Sequence, residues 1–544
     1  MAIMSHNPVL TTQVLVIGGG IAGLCAALEA RAAGRRVLLV SKGRPGRSGN
    51  SVLAAGNISA APSADAEEVA GFRQDILWAG RQIGDPQLAQ ALAEDSAAAI
   101  SFLQRLGVGF YPPGQPPQRK LIPGHGQART LASWQPGLPP QTAGLALTLP
   151  LLAAAEGAGV EFIAPSMALD LLVEGGRVLG ATLLSRDGGL TRVLAGATVL
   201  ASGGGGRLFA CSNNTREMTG DGYALAYRAG AALRDLEFVQ FHPAMGLEPV
   251  RTILPTTLFG DGAVLRNRYG EAFLRRSISG AEKVATRDEM SRAIVEEIQA
   301  GKGVRGGVFL DLSAVSAENA QGRYRDLWQL LQRRGGAPSS HWPLVGVTVH
   351  FLMGGMVIDA QGRSTLAGLF GAGEVTGGLH GANRLGGNGL MEACVFGRRA
   401  GISAAAGAGT VAVAAPPVQQ EALAAGDAGV DIGALRRQAI ELLWQGAGVV
   451  RCESGMNSAL AGLNQLQAEF SAAPARHDPW LWAQTRNILQ LAPLLLQAAS
   501  RRQESRGAHY RSDYPALEES WRGSLLLARG ADGPHWTFVS AGEE

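Results

Sequence analysis

The stretch HGANRLGGNGLMEACVFG, residues 380–397, places a histidine, an asparagine and an arginine among glycines and then turns apolar. Histidine and arginine side chains can hydrogen-bond to an anion, and glycine lets the backbone approach a ligand closely. The 75 glycines of the chain stand mostly in short clusters of this kind between apolar runs. Because they follow no collagen-like period, they indicate backbone approach to a ligand rather than a fibrous or disordered chain.

The first cluster lies between two predicted strands. In QVLVIGGGIAGLCAALEARAAGRRVLLVSKG, residues 14–17 predict a buried strand, residues 24–33 predict a helix, and a second strand follows. Gly18, Gly20 and Gly23 form GxGxxG between strand and helix. They allow the tight turn, the approach to a pyrophosphate and the close packing of helix on strand, in that order. The pattern predicts a dinucleotide site at the positive end of the helix.

The identity of the dinucleotide follows from the second strand and from later glycine-rich turns. Ser41 stands where a nicotinamide-binding fold usually has an acid for the ribose hydroxyl, which disfavours NAD more than FAD. Further apolar strands run into glycine-rich turns at RPGRSGNSVLAAGNISAA, ATVLASGGGGRLF and LAGLFGAGEVTGG. Several separated turns of this kind predict one extended cofactor that is contacted at many points. FAD is the natural candidate.

Composition excludes several other classes. The 544 residues exceed a usual domain about threefold, so several domains, or one domain with an insertion, are expected. The net charge is +3 and no basic block or aromatic platform appears, which argues against nucleic acid as a partner. The four cysteines form no CxxC pair, so we expect neither a disulfide framework nor a metal site. No apolar stretch is long enough for a membrane helix, and we expect a cytoplasmic protein.

A set of motifs then resembles one family. VLVIGGGIAGLCAAL, SGNSVLAAGNISA, TGDGYALA, EFVQFHP, TRDEMSRAI, VHFLMGGMVID, GLFGAGEVTGGLHGANRLGGNGLMEACVFGRRAG and ESRGAHYRSDYP are similar, in this order, to the flavoprotein family of succinate dehydrogenase, fumarate reductase and L-aspartate oxidase. The resemblance spans residues 14–515. It implies an α/β fold class: a Rossmann-like FAD-binding domain with an inserted α+β capping domain and a C-terminal helical domain.

Domain boundaries follow from the motifs and the composition. We predict an FAD-binding domain from residues 1–236 and 351–405, and a capping domain from residues 237–350. The Ala/Pro/Gly-rich residues 406–429 predict a linker, and residues 430–530 predict the C-terminal helical domain from their helical apolar spacing. Closure of a cap over the flavin would exclude water during hydride transfer.

The resemblance also implies the cofactor contacts. The family's covalent attachment motif contains a histidine, whereas RSGNSVLAAGN contains none, so we predict noncovalent FAD. Asn388 is expected to open a helix whose positive end faces the pyrimidine side of the flavin, where negative charge develops. The predicted FAD-binding residues are Gly18, Gly20, Gly23, Ser41, Lys42, Ser48, Asn50, Ser51, Ala55, Gly56, Ser202, Gly203, Gly204, Asp221, Gly373, Glu374, Asn388, Gly389 and Leu390.

The substrate residues carry over from the same motifs. Arg384 is expected to bind a substrate carboxylate through both arms of its guanidinium, as lysine cannot. His242 and His350 match the family's substrate-facing histidines, and Arg287 matches its proton donor or acceptor to the substrate carbon. A guanidinium stays protonated at physiological pH, so Arg287 would have to relay its proton transiently to a nearby carboxylate. Asp288 and Glu289 stand next to it in sequence.

One segment departs from the family pattern. After His242 the chain reads HPAMGLEPVRTILPTTLFGDGAVL, where relatives have a segment like TEGxRGEG. Pro255 and Thr256 then stand at the threonine and glutamate positions, and Phe259 stands at the arginine position. A carboxylate for proton transfer is missing, and the pocket is expected to gain apolar bulk. Thr256 and Thr257 remain as hydroxyl ligands for the substrate.

Two functional hypotheses follow. The first is an enzyme that moves hydride between flavin N5 and a small carboxylate substrate, across C–C in the fumarate manner or across C–N in the L-aspartate manner. The second is the flavoprotein subunit of an electron-transfer complex with an iron–sulfur partner. The electron donor or acceptor and the substrate stay open.

Overall fold

The computed structural model describes residues 8–138, 142–276, 285–338, 340–409, 430–471 and 478–542. Most of the predicted linker, from residue 410 onward, lies outside the described residues. The helices described, in chain order, are α1 (Ile21–Ala32), α2 (Asn50–Leu53), α3 (Ala66–Ala79), α4 (Pro86–Arg105), α5 (Leu145–Gly157), α6 (Asp221–Ala229), α7 (Thr257–Gly260), α8 (Arg287–Gln299), α9 (Ala317–Gln321), α10 (Arg325–Gly335), α11 (Asn388–Gly407), α12 (Ile432–Ala447), α13 (Glu453–Ser471) and α14 (Pro479–Arg501).

The strands, in chain order, are β1 (Val9–Ile17), β2 (Val37–Val40), β3 (Asn57–Ser59), β4 (Gly109–Phe110), β5 (Thr130–Trp134), β6 (Glu161–Ile163), β7 (Ser166–Glu174), β8 (Arg177–Ser185), β9 (Leu190–Leu200), β10 (Leu233–Arg234), β11 (Val239–Glu248), β12 (Val264–Arg266), β13 (Val308–Asp311), β14 (Leu344–Leu352), β15 (Gly355–Val357), β16 (Leu369–Gly371), β17 (Thr376–Gly377), β18 (Gly523–Gly530) and β19 (Gly533–Ser540).

A seven-stranded sheet organises the amino-terminal part. Strand β1 lies between β2 and β9 and pairs parallel with both, while β6 and β16 add further parallel pairs. Residues 14–17 and all of β2 are buried, as expected for a parallel sheet that is covered on both faces. Helix α1 leaves the end of β1 and packs on α11. The carboxyl ends of β1, β9 and β16 therefore meet at one edge, where open α/β sheets bind ligands.

The capping segment is built on a four-stranded sheet in the order β11-β14-β13-β12. Helix α8 packs against β11 and β14. Its first residue is Arg287, and a capping box between Thr286 and Glu289 fixes where the helix begins. The predicted α/β class with an inserted α+β cap is confirmed. The exact domain boundaries remain a prediction.

The carboxyl-terminal part contains helices and a hairpin. Helices α12, α13 and α14 pack on one another, as the apolar spacing predicts. The predicted helical domain runs to residue 530, but its last eight residues form β18, which pairs with β19 and with β10. The chain therefore returns to the FAD-binding part and completes a five-stranded sheet there.

Two predicted absences concern membrane helices and metals. No helix within the described ranges is long and apolar enough to cross a membrane. The described residues also contain no cluster of His, Cys, Asp and Glu that could hold a metal ion. The four cysteines are unpaired, and the Sγ atoms of Cys25 and Cys394 lie 3.9 Å apart between α1 and α11.

Candidate active site

The GxGxxG turn has the backbone that the sequence predicts. Gly18 has φ = +126°, and a Cβ built on it would lie 2.0 Å from the Ala201 carbonyl oxygen. A Cβ on Gly23 would lie 1.8 Å from the Gly18 carbonyl oxygen, so only glycine allows α1 to pack so closely on the turn. Gly20 precedes α1, and its Cβ position faces Ser51 Oγ at 3.0 Å. Ser51 Oγ thus lies at the amino terminus of α1, whose other first-turn N–H groups can donate to a phosphate.

The residues that follow β2 form a polar cluster beside this turn. Ser41 is buried and faces Gly19. Lys42 donates from Nζ to Asp221 Oδ2 at 2.6 Å and to Thr219 Oγ1 at 2.5 Å. Burial raises the pKa of Asp221, but Lys42 and the hydrogen-bonding groups around it outweigh burial and hold the pKa below its ordinary value. Lys42 and Asp221 thus engage each other as an ion pair.

The segment after this cluster runs along the same edge of the sheet. Ser51 Oγ accepts from the Ile21 N–H at 3.3 Å, and Asn50 opens α2. Gly56 has φ = +69°. The Ser48 hydroxyl donates to the Arg44 carbonyl oxygen of its own loop at 2.8 Å. The exposed Ala55 offers only its backbone to a ligand.

The third and fourth glycine-rich turns meet each other. A Cβ on Gly204 would lie 2.0 Å from Glu374 Oε1, so Gly204 makes room for this carboxyl group. Burial raises the pKa of Glu374 to about 7. Gly203 and Gly373 have φ values of +75° and +74°. Ser202 Oγ is buried and has no hydrogen-bond partner among the described residues.

Asn388 begins α11, as predicted. Both polar atoms of its buried amide lack a partner in the described chain. Gly389 lies against the Arg384 guanidinium, 3.3 Å from Nη1 to its Cβ position, and Leu390 is half-buried. Buried polar atoms are normally hydrogen-bonded, so Asn388 and Ser202 present unmet donors and acceptors at the edge where the glycine turns converge. These residues fit FAD.

A methyl group at Gly23 should cost the protein its flavin. We expect Gly23→Ala to lower the ratio of flavin to protein severalfold and the free energy of unfolding by about 1–3 kcal/mol, because the added Cβ overlaps the Gly18 carbonyl oxygen. The ratio is read from the 450 nm and 280 nm absorbance of the purified protein. Gly157→Ala is the matched control, because that Cβ meets no heavy atom within 4 Å. Equal flavin content in both variants would contradict the assignment of this turn.

The flavin should be held without a covalent bond, because no histidine stands in residues 44–61. We expect acid precipitation of the protein to leave the yellow colour in the supernatant. Flavin that stays with the acid-precipitated protein would contradict this prediction.

The two predicted substrate histidines lie side by side. His242 on β11 and His350 on β14 have ring centroids 5.6 Å apart. Burial, and then Arg287, lower the pKa of His242 well below its ordinary value. Burial lowers the pKa of His350 in the same way, followed by Arg384, His242 and Arg287. Both rings are therefore neutral at physiological pH, and each can donate one hydrogen bond.

Arg384 lies between an aromatic ring and an amide. Its guanidinium carbon stands 4.4 Å from the centroid of the Phe351 ring, and Nη2 donates to Gln240 Oε1 at 3.0 Å. The buried Nε has no partner among the described residues. Burial, and then Arg287, lower the pKa of Arg384 to about 10, which leaves it cationic at neutral pH. The group is fixed in place and still has free donors for an anion.

Arg287, at the start of α8, faces the altered segment of the cap. Its Nη2 donates to Thr256 Oγ1 at 3.4 Å. Thr257 instead accepts from the Tyr324 hydroxyl at 2.9 Å, so only Thr256 of the two predicted threonines stands beside the cationic group. Phe259 is 2% exposed and packs in the apolar core. The expected apolar bulk at that position therefore does not line an open pocket.

Polar residues that the sequence analysis did not single out connect these groups. Gln240 Nε2 donates to Asn383 Oδ1 at 2.7 Å, and Asn383 Nδ2 donates to Asp288 Oδ2 at 2.8 Å. A continuous chain therefore runs from Arg384 through Gln240 and Asn383 to the residue next to Arg287. Asn213 Nδ2 lies 3.1 Å from His350 Nδ1. Gln240 stands two residues before His242 on the same strand. Residues at this spacing lie on one face of a strand, so the sequence could have indicated that Gln240 faces the site.

Asp288 also reaches the surface through a cleft between α8 and the carboxyl-terminal segment. The cleft holds about 200 Å³ and is lined in part by Arg81, Asp288, Arg292, Arg506 and His509. Burial raises the pKa of Asp288, although the neighbouring arginines oppose it. Asp288, whose carboxyl group holds a proton more tightly than usual, thus lies between the solvent cleft and Arg287.

The charges of the carboxyl-terminal motif mostly pair with one another. Arg506 pairs with Glu504 at 2.8 Å, and Arg502 bridges Glu504 at 3.0 Å and Glu237 at 2.6 Å. Glu237 stands just before β11. The buried network therefore joins α14 and the segment after it to the strand that bears His242.

Comparison with known proteins matches nearly the whole chain. A family model described as FAD binding domain matches residues 13–390, and one described as fumarate reductase flavoprotein C-term matches residues 436–540. A CoM/CoB fumarate reductase subunit of Methanothermobacter marburgensis is 34% identical over 538 residues, which is 95% of this chain and 97% of that one. The L-aspartate oxidase of Caulobacter vibrioides is 34% identical over 520 residues, 93% and 94% of the two chains.

A solved structure shows the same arrangement. Escherichia coli quinol fumarate reductase superposes with a TM-score of 0.86 at 25% identity, over 98% of this chain and 97% of the other. The match includes the capping segment and the carboxyl-terminal helices as well as the FAD-binding part, because so little of either chain is left out.

Proposed function

We propose a function on the premise that the chain belongs to the FAD-dependent flavoprotein family of fumarate reductase, succinate dehydrogenase and L-aspartate oxidase. The chain is an FAD-dependent oxidoreductase. Its substrate, in our proposal, is a small dicarboxylate that is reduced or formed across a carbon–carbon double bond, as with fumarate and succinate. FAD, when bound, supplies the hydride carrier.

The convergence of four donors carries the proposal. His242 and His350 lie together, and the guanidinium groups of Arg287 and Arg384 are both close enough to lower the pKa of His350. Two cations match the two charges of a dicarboxylate, and two neutral histidines add hydrogen bonds without excess charge. We assign one carboxylate to Arg384 and the other to the histidine pair.

The carboxyl groups near these four residues favour an unsaturated acid over an amino acid. Asp288 is bound to Asn383, Glu374 accepts from the Leu352 N–H at 3.3 Å, and Glu392 pairs with His380 at 3.0 Å. Asp288 and Glu392 are buried, Glu374 is half-buried, and each has its own protein partner. An α-ammonium group would need an ionised carboxylate of its own in so dry a site. The described residues around the four donors offer none that is uncommitted, so we place C–C chemistry before the L-aspartate alternative.

Arg287 is proposed to transfer the proton to the substrate carbon. It stands at the start of α8, and Thr256 gives it a neutral partner where relatives have a carboxylate. Burial lowers the pKa of its guanidinium, which eases the brief loss of a proton. Asp288, at the edge of the cleft, is proposed to return that proton from solvent.

The electron partner is a separate proposal. One relative is named as a subunit, so the chain could act beside a second protein that delivers electrons. We propose that this partner carries iron–sulfur clusters, as the family resemblance implies. A protein with bound iron that copurifies with the chain would support it.

Flavin absorbance under argon tests the proposed substrate. We expect fumarate added to the dithionite-reduced protein to restore the oxidised flavin bands, and L-aspartate added to the oxidised protein to leave them unchanged. Crotonate, which has the same double bond and one carboxylate, is the control ligand and should react at least tenfold more slowly. Bleaching by L-aspartate would instead establish C–N chemistry, and no response to fumarate would overturn the proposal.

A further inference from the structure

Three asparagine side chains form a hydrogen-bonded chain that ends on His350. Asn50 Nδ2 donates to Asn214 Oδ1 at 2.7 Å, and Asn214 Nδ2 donates to Asn213 Oδ1 at 3.0 Å. Asn213 Nδ2 then lies 3.1 Å from His350 Nδ1. The chain begins in α2, among the predicted FAD contacts, and ends in the substrate site on β14.

Backbone groups at two points fix the direction of every bond in this chain. The N–H of Thr215 can only donate, and it meets Asn50 Oδ1 at 3.1 Å, so the other end of that amide is its NH₂ group. The carbonyl oxygen of His350 can only accept, and it meets Asn214 Nδ2 at 3.1 Å. These anchors settle the orientation of the first two amides, which is otherwise ambiguous for asparagine.

The orientation of the third amide follows from the second. Asn214 presents its NH₂ group to Asn213, so the atom of Asn213 that receives it is the oxygen. The NH₂ group of Asn213 therefore points at His350 Nδ1, which must accept. A neutral imidazole that accepts at Nδ1 carries its proton on Nε2.

The neighbouring histidine reaches the same state by another route. The backbone N–H of Ala244 donates to His242 Nδ1 at 3.2 Å, so this ring also carries its proton on Nε2. The two adjacent rings thus have the same tautomer, one set by backbone and one by an asparagine side chain. Both are left with an Nε2–H donor.

We propose that Asn213 is a positioning residue that fixes His350 in the Nε2–H tautomer, so that His350 donates a hydrogen bond to a carboxylate of the substrate. The inference rests on the proposed function for the identity of the ligand, but the tautomer itself does not depend on it. In the opposite tautomer the lone pair of Nε2 would face the carboxylate oxygen, and the contact would be repulsive. Asn213 therefore influences the affinity for the substrate by holding the His350 ring in this tautomer.

Nuclear magnetic resonance of the intact FAD-bound protein tests the tautomer directly. With ¹⁵N-labelled histidine, we expect His350 to show an unprotonated Nδ1 and a protonated Nε2 between pH 6 and 8. The chain has nine histidines, and the resonance lost in His350→Gln assigns the signal. A protonated Nδ1 on His350 in the wild-type protein would overturn the inference.

Asn213→Asp tests the consequence for the substrate. An ionised carboxylate only accepts, so it keeps the bond from Asn214 and draws a proton onto His350 Nδ1. We expect the KM for fumarate at pH 8 to rise about ten- to a hundredfold, as for a lost hydrogen bond to a charged group. As the pH falls to 6 the ring becomes doubly protonated and Nε2–H returns, so the KM should fall back toward that of the wild type.

The wild-type KM should show no such trend, because burial, Arg384, His242 and Arg287 together hold the pKa of His350 well below this range. Asn464→Asp, on the exposed face of α13, makes the same change in charge away from the site and is the control. A pH profile of Asn213→Asp identical to that of the control would overturn the inference. If the resonances are as expected but no dicarboxylate reacts, the proposed function fails and the tautomer assignment stands.

Discussion

Arg287→Gln should lower the rate of fumarate reduction at saturating substrate by about a thousandfold, within the usual range for loss of a general acid. Glutamine keeps a hydrogen-bond donor at this position, but its amide cannot act as a general acid toward the substrate carbon. The reduced variant protein should still bind fumarate with a dissociation constant within about tenfold of the wild type, because Arg384 and the histidines remain. Rapid mixing of the reduced variant with fumarate, followed by flavin absorbance, measures both quantities.

Arg333→Gln removes the same charge and is the control, since Arg333 is exposed on helix α10 of the cap and bonds only Gln329 of its own helix, at 3.4 Å, among the described contacts. It should retain turnover within about threefold, as a surface substitution does. A loss of less than tenfold in Arg287→Gln would place the proton donor elsewhere. The altered segment is a weak candidate for that role, because Pro255, Thr256 and Phe259 carry no group that titrates near neutrality.

The departure at this segment makes Asp288 more important than the sequence alone indicates. The family resemblance implies a carboxylate where Thr256 stands, whereas the buried acid near Arg287 is Asp288, which is bound to Asn383 at 2.8 Å. Sequence adjacency did not establish that Asp288 lines a solvent cleft. The structure does, because α8 brings it against the segment around His509.

Local patterns predicted the elements, and distant pairings completed them. The strand, GxGxxG turn and helix were predicted because each depends on neighbours in the chain, and their bounds differ from the prediction by a few residues at the ends. The carboxyl-terminal hairpin was not predicted. Strand β18 is held by β10, almost 300 residues earlier, and no local period encodes that pairing.

The site shows the same division. His242, His350, Arg287 and Arg384 were predicted from motifs, and the structure brings them together. Their supporting residues were missed, because the side chains that they contact come from other parts of the chain: 137 residues separate Asn213 from His350, and 144 separate Gln240 from Arg384. The motifs also did not predict that Lys42 and Asp221 pair with each other or that Thr257 binds Tyr324.

Arg384→Lys should raise the dissociation constant for fumarate by about a hundredfold, because lysine keeps the charge and loses the planar fork. Two charge-assisted hydrogen bonds to one carboxylate, each worth about 1.5–3 kcal/mol, cannot both be replaced by an ammonium group. The guanidinium is also held between the Phe351 ring and Gln240, and lysine would not stack there. Titration of the oxidised protein with fumarate, followed by the shift of the flavin spectrum, measures the constant.

Arg398→Lys, on the helix α11 that follows Arg384 in the chain, is the control for this substitution. Arg398 forms an ion pair with Glu29 at 2.6 Å, away from the site, and a lysine there should leave fumarate binding unchanged. Gln240→Leu separates orientation from charge, because it removes the acceptor for Arg384 Nη2 while the guanidinium stays. We expect a rise in the dissociation constant that is about tenfold smaller than for Arg384→Lys, as for the loss of one hydrogen bond. Unchanged binding in Arg384→Lys would mean that the carboxylate lies elsewhere, with the histidine pair as the next place to look.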